Sequence, residues 1–328
     1  MAYLDEHARA AIRPIKRRVE DELLARPGVV GVDIGEKVTG GLPTGRLAIV
    51  VYVEVKRRSQ RFAIPVQYAG VPTDVVQETF QPHRALAWSG GVHGAERHPC
   101  LVGGIGFGPC RSVRFVPPDV PVPGDYPVVG TLGALVTPRA AVPRLMALTS
   151  FHVACVDDAW SVGDWMAHPS RVDGGHPLED RIGTLARAAL SGSVDGAVLL
   201  LTTHLDCRAE VVGLGPVRGH ARAVVGSAVR KRGRTTGGTE AVVVSVDATV
   251  VLDFGNDLGV RVLHDQIRVQ AGPGGRFGDH GDSGAVLLDD ANRVVGLYCA
   301  GNPSGSIGFA NPIEPVLDQL DVDLLVEA

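Results

Sequence analysis

Gly278-Asp279-His280-Gly281-Asp282-Ser283-Gly284, followed by the apolar run Ala285–Leu288, is the stretch on which the reading of this chain turns. Glycines on both sides of Ser283 allow a tight turn that exposes a hydroxyl. They also let backbone N–H groups converge on one point, as the stabilisation of an oxyanion requires. Taken alone, the same residues make an ordinary Gly-Asp turn between strands. Their meaning depends on whether the chain also supplies a base for the hydroxyl and a partner for the base.

A base in the right setting lies upstream. Leu145–Ser150 is an apolar strand that ends at Phe151-His152-Val153, so a strand delivers His152 at its mouth. Most of the other ten histidines sit in polar or Pro/Gly-rich stretches. For the orienting carboxylate, Asp195 opens the run Gly196–Leu201, too apolar to face solvent. A carboxylate entering a core needs a partner. Asp157, Asp180 and Asp206 compete for the role, but none leads directly into such a run. A strand-end histidine or a turn aspartate is, singly, also a structural residue. Together the three stand in the order His, Asp, Ser, separated by 43 and 88 residues. That is one of several chain orders in which a Ser-His-Asp triad occurs.

The surrounding pattern predicts a mainly β chain. From Val129 onward, short apolar runs alternate with turns: 130–136, 145–149, 196–202, 223–229, 241–246, 248–252, 284–288 and 294–298. Many strands without intervening helices point to a sandwich or barrel. Ahead of them, Ile12, Ile15, Val19 and Leu23 mark an amphipathic helix with Pro14 at its start and Pro27-Gly28 at its end. Strands at 29–34, 47–55 and 64–76 complete a small α+β unit over residues 1–77. Residues 78–128 carry Pro, Gly and His with little periodicity and read as a connecting segment. Asn311-Pro312 starts a closing helix over 313–325, with Ile313, Val316, Leu317 and Leu320 on one face.

Composition narrows the function classes. Of 328 residues, 45% are hydrophobic and 21% charged, and the formal charge is −4, which excludes a disordered chain and argues against charge-driven nucleic-acid binding. No run approaches the ~20 apolar residues of a membrane helix. Charges interrupt the first 27 residues, so no secretory h-region is seen and a cytoplasmic protein is expected. Cys100, Cys110, Cys155, Cys207 and Cys299 are odd in number and contain no CxxC, which fits free thiols in a reducing compartment. Gly103–Gly108 fails the GxGxxG pattern at Pro109 and has no P-loop lysine. His93 and His98 lack the glutamate of HExxH, and Asp279, His280 and Asp282 are better explained by a triad than by a metal. The basic runs at 13–18 and 56–61 read as solvated faces.

Four motifs give the chain a family resemblance. Thr149-Ser150-Phe151-His152-Val153, Asp195–Leu200 and Gly281–Gly284 resemble the histidine, aspartate and nucleophile boxes of trypsin/chymotrypsin-like serine proteases. Lys231-Arg232-Gly233-Arg234-Thr235-Thr236-Gly237 resembles a stretch of bacterial members such as α-lytic protease and the streptogrisins. The likeness spans about 128–320, and the layout resembles, more loosely, bacterial relatives of the plant NARROW LEAF protease. It implies a trypsin-like double β-barrel over 129–328, with barrels at about 129–210 and 211–312 and the site between them. It implies that His152, Asp195 and Ser283 form the catalytic triad and that the N–H groups of Gly281 and Ser283 bind the oxyanion. No cofactor or metal is then required, and the partner is a peptide or protein substrate.

Departures from the family pattern sharpen the expectations. Val153 replaces the cysteine that follows the histidine, so the flanking disulfide is absent and Cys155 is expected as a buried thiol. No cleavage-activated amino terminus is evident, so Asp282 must be neutralised otherwise, by Lys231 or Arg230. The resemblance places the base of the primary pocket at Phe277 and its wall at Cys299-Ala300-Gly301. No carboxylate stands there, which favours small or medium apolar side chains over Arg or Lys. An active serine endopeptidase, restrained by its N-terminal unit, a regulatory partner or homo-oligomerisation, is expected. The alternative is a protease-fold binding or scaffold protein.

Overall fold

A computed structural model of the chain describes residues 6–56, 64–83, 85–86, 96–117, 120–139, 144–255 and 257–327. His93 and most of the basic run at 56–61 lie outside them.

Alternating β-branched residues build the longest element. Residues 241–246 and 248–252, expected as two strands, belong to one 17-residue strand, Gly237–Asp253. Register shifts around Ser245 and Ala248 bend it without ending it. Such bulges break the period of two on which a sequence reading depends. Among the described residues this strand closes a ring with Val260–Gln270, Ile307–Pro312, Val294–Gly301, Val286–Leu288 and Ala228–Gly233, the last pairing back to it. The ring encloses Val229, Val243, Ile267, Val269, Phe277, Leu287 and Tyr298. Residues 223–229, expected as a strand, mostly form the turn that precedes Ala228–Gly233.

A second sheet runs Val322–Leu324, Ala134–Pro138, Met146–Thr149, Val194–Leu201, Arg181–Ser191, Trp165–Ala167, Gly106–Pro109, Val128–Thr131 and Ala85–Leu86. Two of its strands, Gly106–Pro109 and Ala85–Leu86, come from the stretch read as connecting. Strands of two to four residues among glycines and prolines leave no periodicity to read. The expected strand 130–136 is likewise split into Val128–Thr131 and Ala134–Pro138. The chain is thus mainly β, a closed barrel beside a second, open sheet, an arrangement in keeping with the double barrel that the motif resemblance implies.

The N-terminal helix, Glu6–Leu24, contains Pro14 in its interior rather than at its start. Its Ile12, Val19 and Leu23 pack on Val29, Val32, Ile34, Ile49, Val51 and Val53 of the hairpin Val29–Thr39 and Leu42–Val53. This hairpin does not form a sheet of its own. Gly31 and Val32 pair with Val250 and Thr249 at the far end of the 17-residue strand. Buried polar groups fasten the same seam: Arg9 donates to Asp247 and to the carbonyls of Ile34 and Val244. Lys16 contacts Glu20 and Thr249 there. Val71–Gln77 then runs parallel to Leu42–Val53, so the chain leaves this appendage heading along the closed barrel.

The closing helix is shorter than expected. It covers Ile313–Leu320, stops at Asp321 in a left-handed conformation, and gives way to Val322–Leu324, which pairs with Ala134–Pro138. Among the described residues, no helix is long and apolar enough to cross a membrane.

Candidate active site

His152 lies in the short helix Phe151–Ala154 that caps the strand Met146–Thr149, and Asp195 lies at the start of Val194–Leu201. The two strands are paired neighbours, with Thr149 opposite Ala197. That pairing brings the side chains together: His152 Nδ1 is 2.5 Å from Asp195 Oδ2, and the His152 backbone N–H donates to Asp195 Oδ1 at 3.1 Å. Both residues are fully buried. An ionised carboxylate only accepts, so Nδ1 carries the proton and Nε2 is left as an acceptor. That Nε2 is buried and has no hydrogen-bond partner among the described residues.

Ser283 belongs to the other barrel, in the turn before Val286–Leu288. Gly281 and Gly284 have φ of +99° and +95°, a region few other residues enter. A Cβ on Gly284 would stand 2.1 Å from the Thr131 carbonyl oxygen, so the turn lies flush against the first barrel. The Ser283 hydroxyl donates to the Cys299 carbonyl at 3.0 Å. Cys299 is also the point where the barrels meet. Its thiol contacts Asn311, whose Oδ1 accepts the Asp195 backbone N–H at 3.1 Å. Ser150, two residues before His152, donates to the adjoining Tyr298 carbonyl at 3.1 Å. Acid, base and hydroxyl are thus tied to one two-residue segment of Val294–Gly301, although Ser283 and His152 are not hydrogen-bonded to each other.

Asp282, beside the nucleophile position, is fully buried and meets five donors. Oδ2 accepts from Lys231 Nζ at 2.9 Å, the Thr236 hydroxyl at 2.6 Å and Asp279 N at 3.1 Å. Oδ1 accepts from Thr235 N at 2.9 Å and Thr236 N at 3.1 Å. Burial by itself pushes this carboxyl's pKa up, but the Lys231 charge and the Thr236 hydroxyl outweigh it and hold it below the usual carboxylate range. Arg230 turns elsewhere, to Asn292. Replacing Thr236 with Val should cost about 2 kcal/mol of stability in urea unfolding, because a hydrogen bond to a buried charge is lost.

Of the residues expected to form the pocket, Phe277 is buried and its ring meets that of Tyr298 edge-on at 5.7 Å. The Tyr298 hydroxyl stands where a Cβ on Gly278 would fall, 2.0 Å away. Ala300 and Gly301 form a strand edge, and that edge is occupied. Gln81–Pro82 pairs antiparallel with it, and Gly281 N donates to the His83 carbonyl at 2.5 Å. Asn311, Thr236, Tyr298 and His83 were given no role in the site from the sequence. Only the Thr-Thr of the Lys231–Gly237 motif carried a signal that could have found one of them.

The five cysteines are free thiols, and burial pushes the pKa of Cys155 and Cys299 upward, which keeps them as protonated packing groups. Among the described residues, no cluster of three or more His, Cys, Asp or Glu is arranged to hold a metal ion.

No protein-family model matches the chain. Among solved structures it is similar to Thermobifida fusca protease A, at 21% identity and a TM-score of 0.48, over 69% of this chain and 98% of that one. It is similar to Nocardiopsis protease at 20% identity and a TM-score of 0.48, over 68% and 97% of the two chains. A third likeness is to Cellulomonas bogoriensis chymotrypsin, at 23% identity and a TM-score of 0.44, over 60% and 91%. The structures that this fold resembles are bacterial serine proteases of the trypsin/chymotrypsin-like kind.

Proposed function

We propose that the chain is a serine endopeptidase that cleaves through an acyl-enzyme on Ser283. The observation that carries this reading is the His152–Asp195 pair: a buried carboxylate grips both the ring and the backbone of the histidine, and leaves Nε2 free as a base. In this reading the Ser283 hydroxyl turns from the Cys299 carbonyl to Nε2 and attacks a peptide carbonyl. His152 takes the hydroxyl proton and passes it to the leaving amine; water then enters by the reverse sequence and frees Ser283. Asp195 holds the ring tautomer and stabilises the imidazolium. The Gly281 N–H, with that of Ser283, receives the oxyanion, and losing one such donor typically costs ~3 kcal/mol of barrier. Lys231 and Asp282 hold the turn in place. We assign residues 129–328 to the protease unit and 1–77 to an appendage that restrains it. Free thiols support work in a reducing, cytoplasmic setting.

A second reading, a binding protein on a protease fold, draws on the Ser283 hydroxyl bonded to Cys299 and on the occupied strand edge. A fluorophosphonate probe separates the two. The endopeptidase reading expects an adduct on Ser283 in a His83→Gly chain, and none when Ser283→Ala is added. Failure of the probe in folded His83→Gly, and also once Phe80→Ala is added to release the strand, overturns it.

A further inference from the structure

The strand edge beside the triad is filled by the chain itself, in the manner of a bound peptide. Gln81 and Pro82 lie opposite Gly301 and Ala300 in antiparallel register. His83 continues the ladder, its N–H donating to the Cys299 carbonyl at 3.1 Å. Adding a short extended segment to an exposed sheet edge is how many domains bind peptides. Two features make this segment more than a covering strand. Its last carbonyl, that of His83, accepts the Gly281 N–H, the donor assigned above to the oxyanion. The Cys299 carbonyl receives both the His83 N–H and the Ser283 hydroxyl, so the strand and the nucleophile share one acceptor. The carbonyl that would be attacked is therefore His83's, and the bond that follows it in sequence is His83–Arg84.

The side chain is accommodated as closely as the backbone. His83 is 1% exposed, with Nδ1 2.8 Å from the Tyr298 hydroxyl and its ring 5.2 Å from that of His280. A Cβ on Gly301 would meet the ring at 2.6 Å, so the glycine leaves room for it. Gln81 reaches His280 at 3.0 Å. Upstream, Phe80 is held edge-on between Tyr52 and Phe309, and Glu78 accepts from Asn302. Val71–Gln77 anchors the same stretch to the appendage sheet. A strand tethered so near its groove acts at a millimolar-scale effective concentration, far above most free peptides.

We propose that residues 81–83 are the site's own bound substrate, that the chain cleaves itself after His83, and that the groove selects histidine ahead of the scissile bond. The proposal rests on the endopeptidase reading. Ser283 Oγ bonds to the His83 carbonyl carbon, the C–N bond to Arg84 breaks, and the hydroxyl proton leaves on the new Arg84 amine by way of His152. Water then hydrolyses the ester, leaving a carboxylate on His83 and a free Ser283. The anchors at Phe80 and Glu78 keep that carboxylate end in the groove, so the cut chain stays occluded until the strand is displaced.

Burial holds the His83 imidazole neutral, with a pKa lowered to about 3; His280, Lys231 and His152 act in the same direction and Asp282 against it. A released strand takes up a proton below about pH 6.5, and the bound one does not until about pH 3. Acidification therefore favours release, by about tenfold between pH 7.5 and 5.5.

Intact-mass analysis and N-terminal sequencing of the purified full chain test the cut. A new terminus at Arg84 is expected in the wild type and not in Ser283→Ala; its absence from a chain whose Ser283 takes the fluorophosphonate overturns self-cleavage. Occupancy is read without catalysis, by binding of a labelled Glu-Thr-Phe-Gln-Pro-His peptide in the Ser283→Ala background. At least tenfold tighter binding is expected once Phe80→Ala and His83→Gly are added, and about tenfold weaker binding at pH 5.5 than at 7.5. Equal binding with and without those changes overturns the strand's place in the groove. Failure of the probe in every variant overturns the endopeptidase reading instead, and the peptide experiment still decides occupancy.

Discussion

Asp195→Asn is expected to lower peptide hydrolysis at neutral pH by about 10⁴-fold while leaving the urea midpoint little changed. Among the described residues, Asp195 is the sole acceptor for both His152 Nδ1 and the His152 backbone N–H. An asparagine fills the same volume but can present an NH₂ to the ring. The ring then carries its proton on Nε2, the atom that must take the proton from Ser283. Ser283→Ala removes the nucleophile itself and should cost about 10⁶-fold. The two losses must not add in the double variant, because residues that act as one unit are non-additive. Turnover of peptide substrates by His83→Gly chains carrying each change would measure this. A loss below tenfold for Asp195→Asn would show that the buried pair is structural.

The largest expected effect on stability comes from Lys231. Its Nζ and the Asp282 carboxylate are both fully buried, 2.9 Å apart, with the Phe277 and Tyr298 rings 5.1 and 5.3 Å from the ammonium. Lys231→Met preserves the stem and its packing but leaves a carboxylate buried without its countercharge. A cost of about 3–5 kcal/mol is expected at pH 7. The sign of the pH dependence follows from the lowered pKa of Asp282. In the wild type, its contribution is present above the unfolded carboxyl value of about 4 and is lost as pH falls through the lower folded value. In Lys231→Met, burial raises that pKa, so acidification neutralises the stranded carboxyl and the gap to the wild type narrows. Adding Asp282→Asn should recover much of the loss. Urea unfolding at pH 7 and 5 measures the wild type and both variants, and a gap under 1 kcal/mol between the wild type and Lys231→Met at pH 7 would contradict the role given to the pair.

Much of the candidate site was legible because its chemistry is local. Glycines around Ser283 dictate a turn wherever they fall, and an apolar run that starts at Asp195 or ends near His152 predicts a strand with a polar group at its mouth. The placement of Lys231 near Asp282 followed from a motif, Lys231–Gly237, rather than from physics. Other parts depended on partners far along the chain. Asn311 read only as a helix start, but it meets Asp195, 116 residues away. Phe277 was assigned the pocket by counting back from Ser283, and nothing in the sequence told that the closed barrel sets Tyr298 edge-on against it.

What the sequence determined by itself was the β class, the serine turn, the histidine just past a strand end and the aspartate at a strand start, and the amphipathic helix, all properties of runs of about ten residues. What the tertiary structure decided was the joining of the N-terminal hairpin to the far end of Gly237–Asp253 and the seating of Gln81–His83 on Ala300 and Gly301. Neither is written in a local pattern. Apart from proline, which has no N–H to donate, every residue type offers a sheet edge the same backbone hydrogen bonds, so a strand's partner is chosen by which edge the folded chain leaves open. His83 and Tyr298 are 215 residues apart in sequence, and only the closed barrel brings them within 2.8 Å.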